Sequence, residues 1–152
     1  MKQLRILLAD DRPQMLALLQ LVLEPDYTVV GTVEDGQSLI AAAQALRPDL
    51  VLTDIDMPLL NGIEATRELR TLLPDCRVIV HSSHDEPGVM AAAFAAGASG
   101  YLIKGSSQSL LSSIRAIVQH VWNQSGTQSM DDPATAHLWR DQRPQPVQQQ
   151  HL

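Results

Sequence analysis

Three acids, a hydroxyl and a lysine stand where short apolar runs of this chain break off. Residues 9–12 read ADDR, 51–58 VLTDIDMP, 78–83 VIVHSS and 101–105 YLIKG. Asp is a poor strand former and is costly to bury. Asp54 and Asp56 are two apart, so on an extended chain both point the same way. Two acids on one side of a strand end repel unless a cation or a proton sits between them. The plain alternative is that Asp56-Met57-Pro58 opens a turn. Clustered carboxylates with few nitrogen or sulfur donors suit a hard cation such as Mg²⁺. A lysine and a hydroxyl beside them suit a phosphoryl group, as a point charge and a hydrogen-bond donor. A carboxylate held beside Mg²⁺ can attack phosphorus and become an acyl phosphate.

Such chemistry requires elements that bring distant residues to one rim. Apolar runs at 5–9, 28–32, 50–53, 78–81 and 101–103 alternate with helix-like segments at 12–24, 37–46, 62–72, 87–96 and 107–122. Pro13 and Pro87 suit first helical turns, Ser107 could cap the last helix, and Gly97 fits a helix end. Five strands, each followed by a helix, predict an α/β fold, a doubly wound five-stranded parallel sheet covered on both faces. The flavodoxin-like order 2-1-3-4-5 makes strands 1, 3, 4 and 5 neighbours and places ligands outside their carboxyl ends. Asp10-Asp11, Asp54, Ser82 and Lys104 then converge. Each also has an ordinary reading, as a helix cap, a backbone-bonded hydroxyl or a solvated lysine. Four strand ends supplying this set together favour a site.

The bulk properties narrow the classes. The chain has 152 residues, 45% hydrophobic and 18% charged, with a net charge of -6. That composition allows a soluble core and opposes an anionic polymer or membrane as partner. Cys76 is the single cysteine, which excludes an intramolecular disulfide and fits a reducing compartment. No signal peptide is visible, and the apolar stretch 15–23 is interrupted by Gln20 and too short for a bilayer. A cytoplasmic location is expected.

Residues 1–122 read as one domain. Residues 123–152 are rich in Gln and Pro and read as a flexible tail, with a short helix compatible with 133–141. The tail's basic side chains are Arg140 and Arg143, against Asp131, Asp132 and Asp141, so direct DNA binding is not expected. In the first helix, turning Met15, Leu18, Leu19 and Val22 to the core leaves Leu16, Ala17, Gln20 and Leu21 outside. Leu16 and Leu21 then form a candidate docking patch.

The motifs LLADDRP, VLTDIDMPLLNGIEATREL, VIVHSS and AFAAGASGYLIKG resemble the receiver domain of two-component response regulators, over residues 3–122. The resemblance implies roles residue by residue. Asp54 would be the phosphoacceptor. Asp11 and Asp54 would ligate Mg²⁺ directly, Asp10 through water, and Asp56 through its backbone carbonyl. Lys104 and Ser82 would contact the phosphoryl group, and Tyr101 would rotate with it. Asp56 and His84 would lie near the hydrolytic water and tune the lifetime of the acyl phosphate. Implied partners are a sensor histidine kinase or phosphotransfer protein and a downstream protein that reads the face of helix 4, strand 5 and helix 5. A phosphorylation-dependent homodimer is also allowed. Most family members have a cis proline after the lysine. Here Gly105 follows, which leaves that peptide's geometry open. Lysine without the proline resembles receivers that precede helix-turn-helix domains, yet no such domain is visible. A single-domain regulator is expected, with a fragment of a DNA-binding regulator as the alternative. Two rivals remain. DIDMP also resembles the motif of haloacid-dehalogenase-type phosphatases, but there it follows the first strand. A receiver-fold interaction module that works without phosphorylation is the other.

Overall fold

A computed structural model describes residues 3–105 and 110–123. The strands are β1 (Arg5–Ala9), β2 (Thr28–Val33), β3 (Leu50–Thr53), β4 (Arg77–Ser82) and β5 (Gly100–Ile103). The helices are α1 (Pro13–Leu23), α2 (Gly36–Leu46), α3 (Gly62–Leu72), α4 (Pro87–Ala95) and α5 (Leu110–Asn123). All strands pair in parallel, in the order β2-β1-β3-β4-β5. This is the predicted topology, with bounds shifted by a residue or two. The expected Ser107 cap and the short helix at 133–141 lie outside the described residues, as does the tail from 124 onward.

Strand alternation divides the core into two layers. Ile6, Leu8, Leu50, Leu52, Ile79 and Leu102 face α1 and α5, where Leu16, Leu19, Leu23, Ile114 and Ile117 meet them. Leu7, Ala9, Val51 and Val78 face α2 and α3, against Leu39, Ala43, Ala65 and Leu69. Val80 and Tyr101 continue that second layer under α4, beside Met90 and Ala93. Burial on both faces explains why β1, β3 and β4 read as unbroken apolar runs. β2 is an edge strand, and none of its residues is fully buried.

The phase of α1 differs from expectation. Leu16 is buried, together with Leu19 and Leu23, whereas Leu18 is 48% exposed and Leu21 74% exposed. Met15 and Val22 are only half-buried. Residues 16–23 hold leucines at 16, 18, 19, 21 and 23, so two overlapping stripes satisfy helical periodicity. The stripe at 16, 19 and 23 wins, and it leaves Gln20 free to donate from Nε2 to Glu24 Oε1 at 2.9 Å on the outer side. The outward apolar pair is therefore Leu18 and Leu21. Among the described residues, no helix is long and apolar enough to cross a membrane.

Candidate functional site

Parallel strands end at the same rim, and that rim is acidic. Asp10 follows β1 and is 1% exposed; its backbone N–H donates to Val33 O at 3.1 Å. Asp54 follows β3 and is 6% exposed, with its N–H donating to Ala9 O at 2.8 Å. These two bonds extend the sheet ladder by one residue and set the carboxyls side by side. Asp11 is exposed at the mouth. Carboxylate oxygens of Asp10, Asp11 and Asp54 all lie within 4.8 Å of one another. An all-oxygen set at that spacing fits a hard divalent cation.

Lys104 follows β5 and crosses to both buried acids. Its Nζ lies 2.9 Å from Asp10 Oδ2 and 3.1 Å from Asp54 Oδ2. The remaining oxygens are also engaged. Asp10 Oδ1 accepts from the Arg12 N–H at 2.9 Å, and Asp54 Oδ1 accepts from the Ile55 N–H at 2.7 Å. Burial pushes the Asp54 carboxyl above its ordinary pKa, and Lys104 works against that rise. The Lys104–Gly105 peptide is trans, since no cis bond occurs among the described residues. Gly105 instead turns the chain at φ 76°, a left-handed conformation that glycine adopts without strain.

Ser82 ends β4 and is fully buried; its Oγ accepts from the His84 N–H at 3.1 Å. Tyr101, also fully buried, donates its hydroxyl to His84 O at 2.7 Å. His84 in turn reaches across to the loop after β3, with Nε2 2.7 Å from Asp56 Oδ2. Its Nδ1 is 3.4 Å from Glu86 Oε2. The hydrogen bond to Asp56, helped by the charge of Glu86, raises the His84 pKa. One backbone position thus touches Ser82, Tyr101 and the Asp56 loop. Sequence spacing places Asp56 and His84 each two residues past a strand-end site residue, but it carries no sign of the contact between them. Glu86 was missed altogether. In the same loop Leu59 is left-handed, at φ 71°, a conformation costing a non-glycine residue about 1–2 kcal/mol.

All the predicted side chains therefore meet at one end of the sheet. Asp10, Asp11, Asp54 and Lys104 form the centre, while Ser82, Tyr101, His84 and Asp56 form a linked flank. The phosphatase reading fits poorly, because the acidic pair comes on β1 and DIDMP on β3.

Known proteins resemble this chain in sequence and fold. Residues 6–115 match the family model described as the response regulator receiver domain. The transcriptional regulatory protein DegU of Brevibacillus brevis is 38% identical over 100 residues, covering 65% of this chain and 42% of that protein. The nitrate/nitrite response regulator protein NarL of Escherichia coli strain K12 is 40% identical over 101 residues, covering 65% of this chain and 47% of that protein. The chain thus spans about half the length of these curated relatives. The solved response regulator domain of Thermotoga maritima CheB superposes with a TM-score of 0.73 at 31% identity, over 82% of this chain and 100% of that one. Strand order, rim chemistry and a family match across all five strands agree, and the chain belongs to the response regulator receiver domain family.

Proposed function

We propose that the chain is a phosphorylation switch in which Asp54 accepts a phosphoryl group from a histidine kinase or phosphotransfer protein. The observation that carries this reading is the position of Asp54. It is buried, 3.1 Å from Lys104, and grouped with Asp10 and Asp11. Mg²⁺, when bound, neutralises charge on the transferring group and on the acids. Asp11 and Asp54 would hold it directly, Asp10 through water, and Asp56 by its backbone carbonyl. In the step itself an oxygen of Asp54 forms a bond to phosphorus while the phosphorus–nitrogen bond of the phosphohistidine breaks. The electron pair leaves with the imidazole, which takes a proton. Lys104, relieved of one acid, contacts the phosphoryl oxygens. Ser82 turns its hydroxyl to the new group and releases the His84 N–H. Tyr101 is tied to His84, so the change reaches the α4–β5–α5 face.

Acetyl phosphate with Mg²⁺ separates the readings. A switch retains one base- and hydroxylamine-labile phosphoryl group on Asp54, a phosphatase releases phosphate over many turnovers, and a phosphorylation-independent module does neither. Retention is the expected result.

The exposed pair Leu18 and Leu21 on α1 replaces the patch expected at Leu16 as the docking face for the donor's helices. Leu21→Glu should slow transfer from a phosphohistidine protein by about tenfold, the order lost with one well-placed apolar contact of roughly 1.4 kcal/mol. Transfer from acetyl phosphate should be unchanged. Equal loss with both donors would indicate a folding defect and sink the assignment.

The resemblance to receivers puts the His84–Asp56 contact, 2.7 Å long, near the path of the hydrolytic water. His84→Ala and Asp56→Ala should each shorten the half-life of phospho-Asp54 several-fold, measured as loss of label after donor removal. Two unchanged half-lives would remove the lifetime role.

A second reading, a receiver that controls a DNA-binding region, draws on the curated relatives of which the chain spans about half. In both readings the output of residues 1–152 is a protein contact, a downstream protein or a second copy, because the chain carries -6 and few basic groups to neutralise a phosphate backbone.

A further inference from the structure

His84 is a junction between the site and α4. Its N–H donates to Ser82 Oγ at 3.1 Å, its carbonyl accepts from the Tyr101 hydroxyl at 2.7 Å, and its Nε2 lies 2.7 Å from Asp56 Oδ2. A further contact leads out of the site, with Glu86 Oε2 3.4 Å from Nδ1. The backbone bonds fix where His84 sits but leave its ring free to turn about its side-chain torsions. Asp56 then holds one edge of the ring. A ring held at a single nitrogen still pivots about that bond. Nδ1 and Nε2 are distinct positions on the ring, so a second contact at Nδ1 removes the pivot.

The chain around Glu86 places it for that contact. Pro87 follows, and a residue before proline is biased to extended backbone. Glu86 is extended, at φ -70° and ψ 134°, and α4 starts at Pro87. The Glu86 carbonyl accepts from the Val89 and Met90 N–H groups at 3.1 and 3.2 Å. Those bonds anchor its backbone to the first turn of α4. Its carboxylate makes no capping bond to the helix, so it is available to the ring. Asp85, the neighbouring acid, is exposed and forms no ion pair with His84 among the described residues. Position, and not acidity alone, therefore singles out Glu86.

We propose that Glu86 is a positioning residue, which holds the His84 ring against Asp56 and so ties the hydrolytic side of the site to the start of α4. The proposal rests on the phosphotransfer reading and deepens it. The Glu86 side chain is 60% exposed, so water and salt screen the contact. Its loss should shorten the half-life of phospho-Asp54 by about two- to threefold, the range of an exposed ion pair and less than the loss of His84 itself.

The test labels the full chain with acetyl phosphate and Mg²⁺, removes the donor and follows the decay of label. Wild type is compared with Glu86→Ala, Asp85→Ala, His84→Ala and the double variant Glu86→Ala/His84→Ala, all below their melting transitions. Glu86→Ala should shorten the half-life, Asp85→Ala should leave it unchanged, and Glu86→Ala should add nothing once His84 is gone. A merely weakened α4 would act alike in both backgrounds, so the loss of effect in the double variant is specific to the contact. An unchanged half-life in Glu86→Ala would overturn the proposal. So would a shortening that persists without His84, or one that Asp85→Ala matches. Wild type that retains no label would instead overturn the phosphotransfer reading beneath it.

Discussion

Asp54→Asn should abolish stable phosphoryl uptake from acetyl phosphate while leaving the fold intact. The substitution keeps the shape of the side chain, and the amide oxygen can still accept from the Ile55 N–H, now 2.7 Å from Oδ1. What it removes is the anionic nucleophile. No neighbour can stand in. Asp10 is 1% exposed and already holds both Arg12 N–H and Lys104, and Asp11 is at the solvent-exposed mouth. Label at the wild-type rate in Asp54→Asn would disprove the assignment. The same variant makes a stability prediction of known sign. Burial raises the folded pKa of Asp54 above its unfolded value. Between those values the folded chain holds a proton that the unfolded chain has lost. The contribution of this group is thus full at acid pH and is lost as pH rises through the folded pKa. Asparagine carries no such penalty. Without Mg²⁺, Asp54→Asn should melt above wild type at neutral pH, and the difference should shrink as pH falls. A lower melting temperature at neutral pH would mean that the Lys104 contact outweighs desolvation.

The strand order and the rim were legible because both follow from local pattern. A run such as LVLT is apolar throughout only when both faces of a strand are covered, and polar residues collect where such strands stop. Lys104 and Asp10 are far apart in sequence, yet the order 2-1-3-4-5 already brings their strand ends together. The side chains around His84 were not legible in the same way. Its contact with Asp56 depends on how two irregular loops fold toward each other, and no periodicity encodes that. The phase of α1 failed for another reason. Its five leucines between 16 and 23 satisfy two stripes, and the choice is made by packing against β1, β3 and α5. His81 reads in sequence as one more polar strand-end residue, although it is buried in the wall of a cavity. Strand alternation puts it opposite Val80 and on the same side as Ile79, and its pairing with Leu102 is revealed only by the register with β5.

Gly62→Ala should cost about 3 kcal/mol of stability, at the upper end of ordinary overpacking effects. Gly62 opens α3 directly beneath the loop that follows Asp54. Its N–H donates to Ile55 O at 2.8 Å, and its carbonyl accepts from Thr66 Oγ1 at 2.7 Å. A Cβ at this position would lie 1.9 Å from Asp54 O, 2.8 Å from Asp54 C and 3.0 Å from Ile55 Cα. All three are backbone atoms, so no rotamer change can relieve the clash. Either the first turn of α3 or the strand end carrying Asp54 must move. A stability loss of that size lowers the melting temperature of a domain of this length by about 10 °C. Moving Asp54 by about 1 Å should also slow phosphoryl uptake by around a hundredfold. Gly88 supplies the control. It lies in the first turn of α4, and a Cβ there would meet nothing within 4 Å. Gly88→Ala should be neutral or stabilising by up to about 1 kcal/mol, since alanine is the better helix former. Thermal melts of the two variants, with label uptake measured below both transitions, make the comparison. If Gly62→Ala melts and reacts like Gly88→Ala, the close approach of α3 to Asp54 is not what positions that carboxylate.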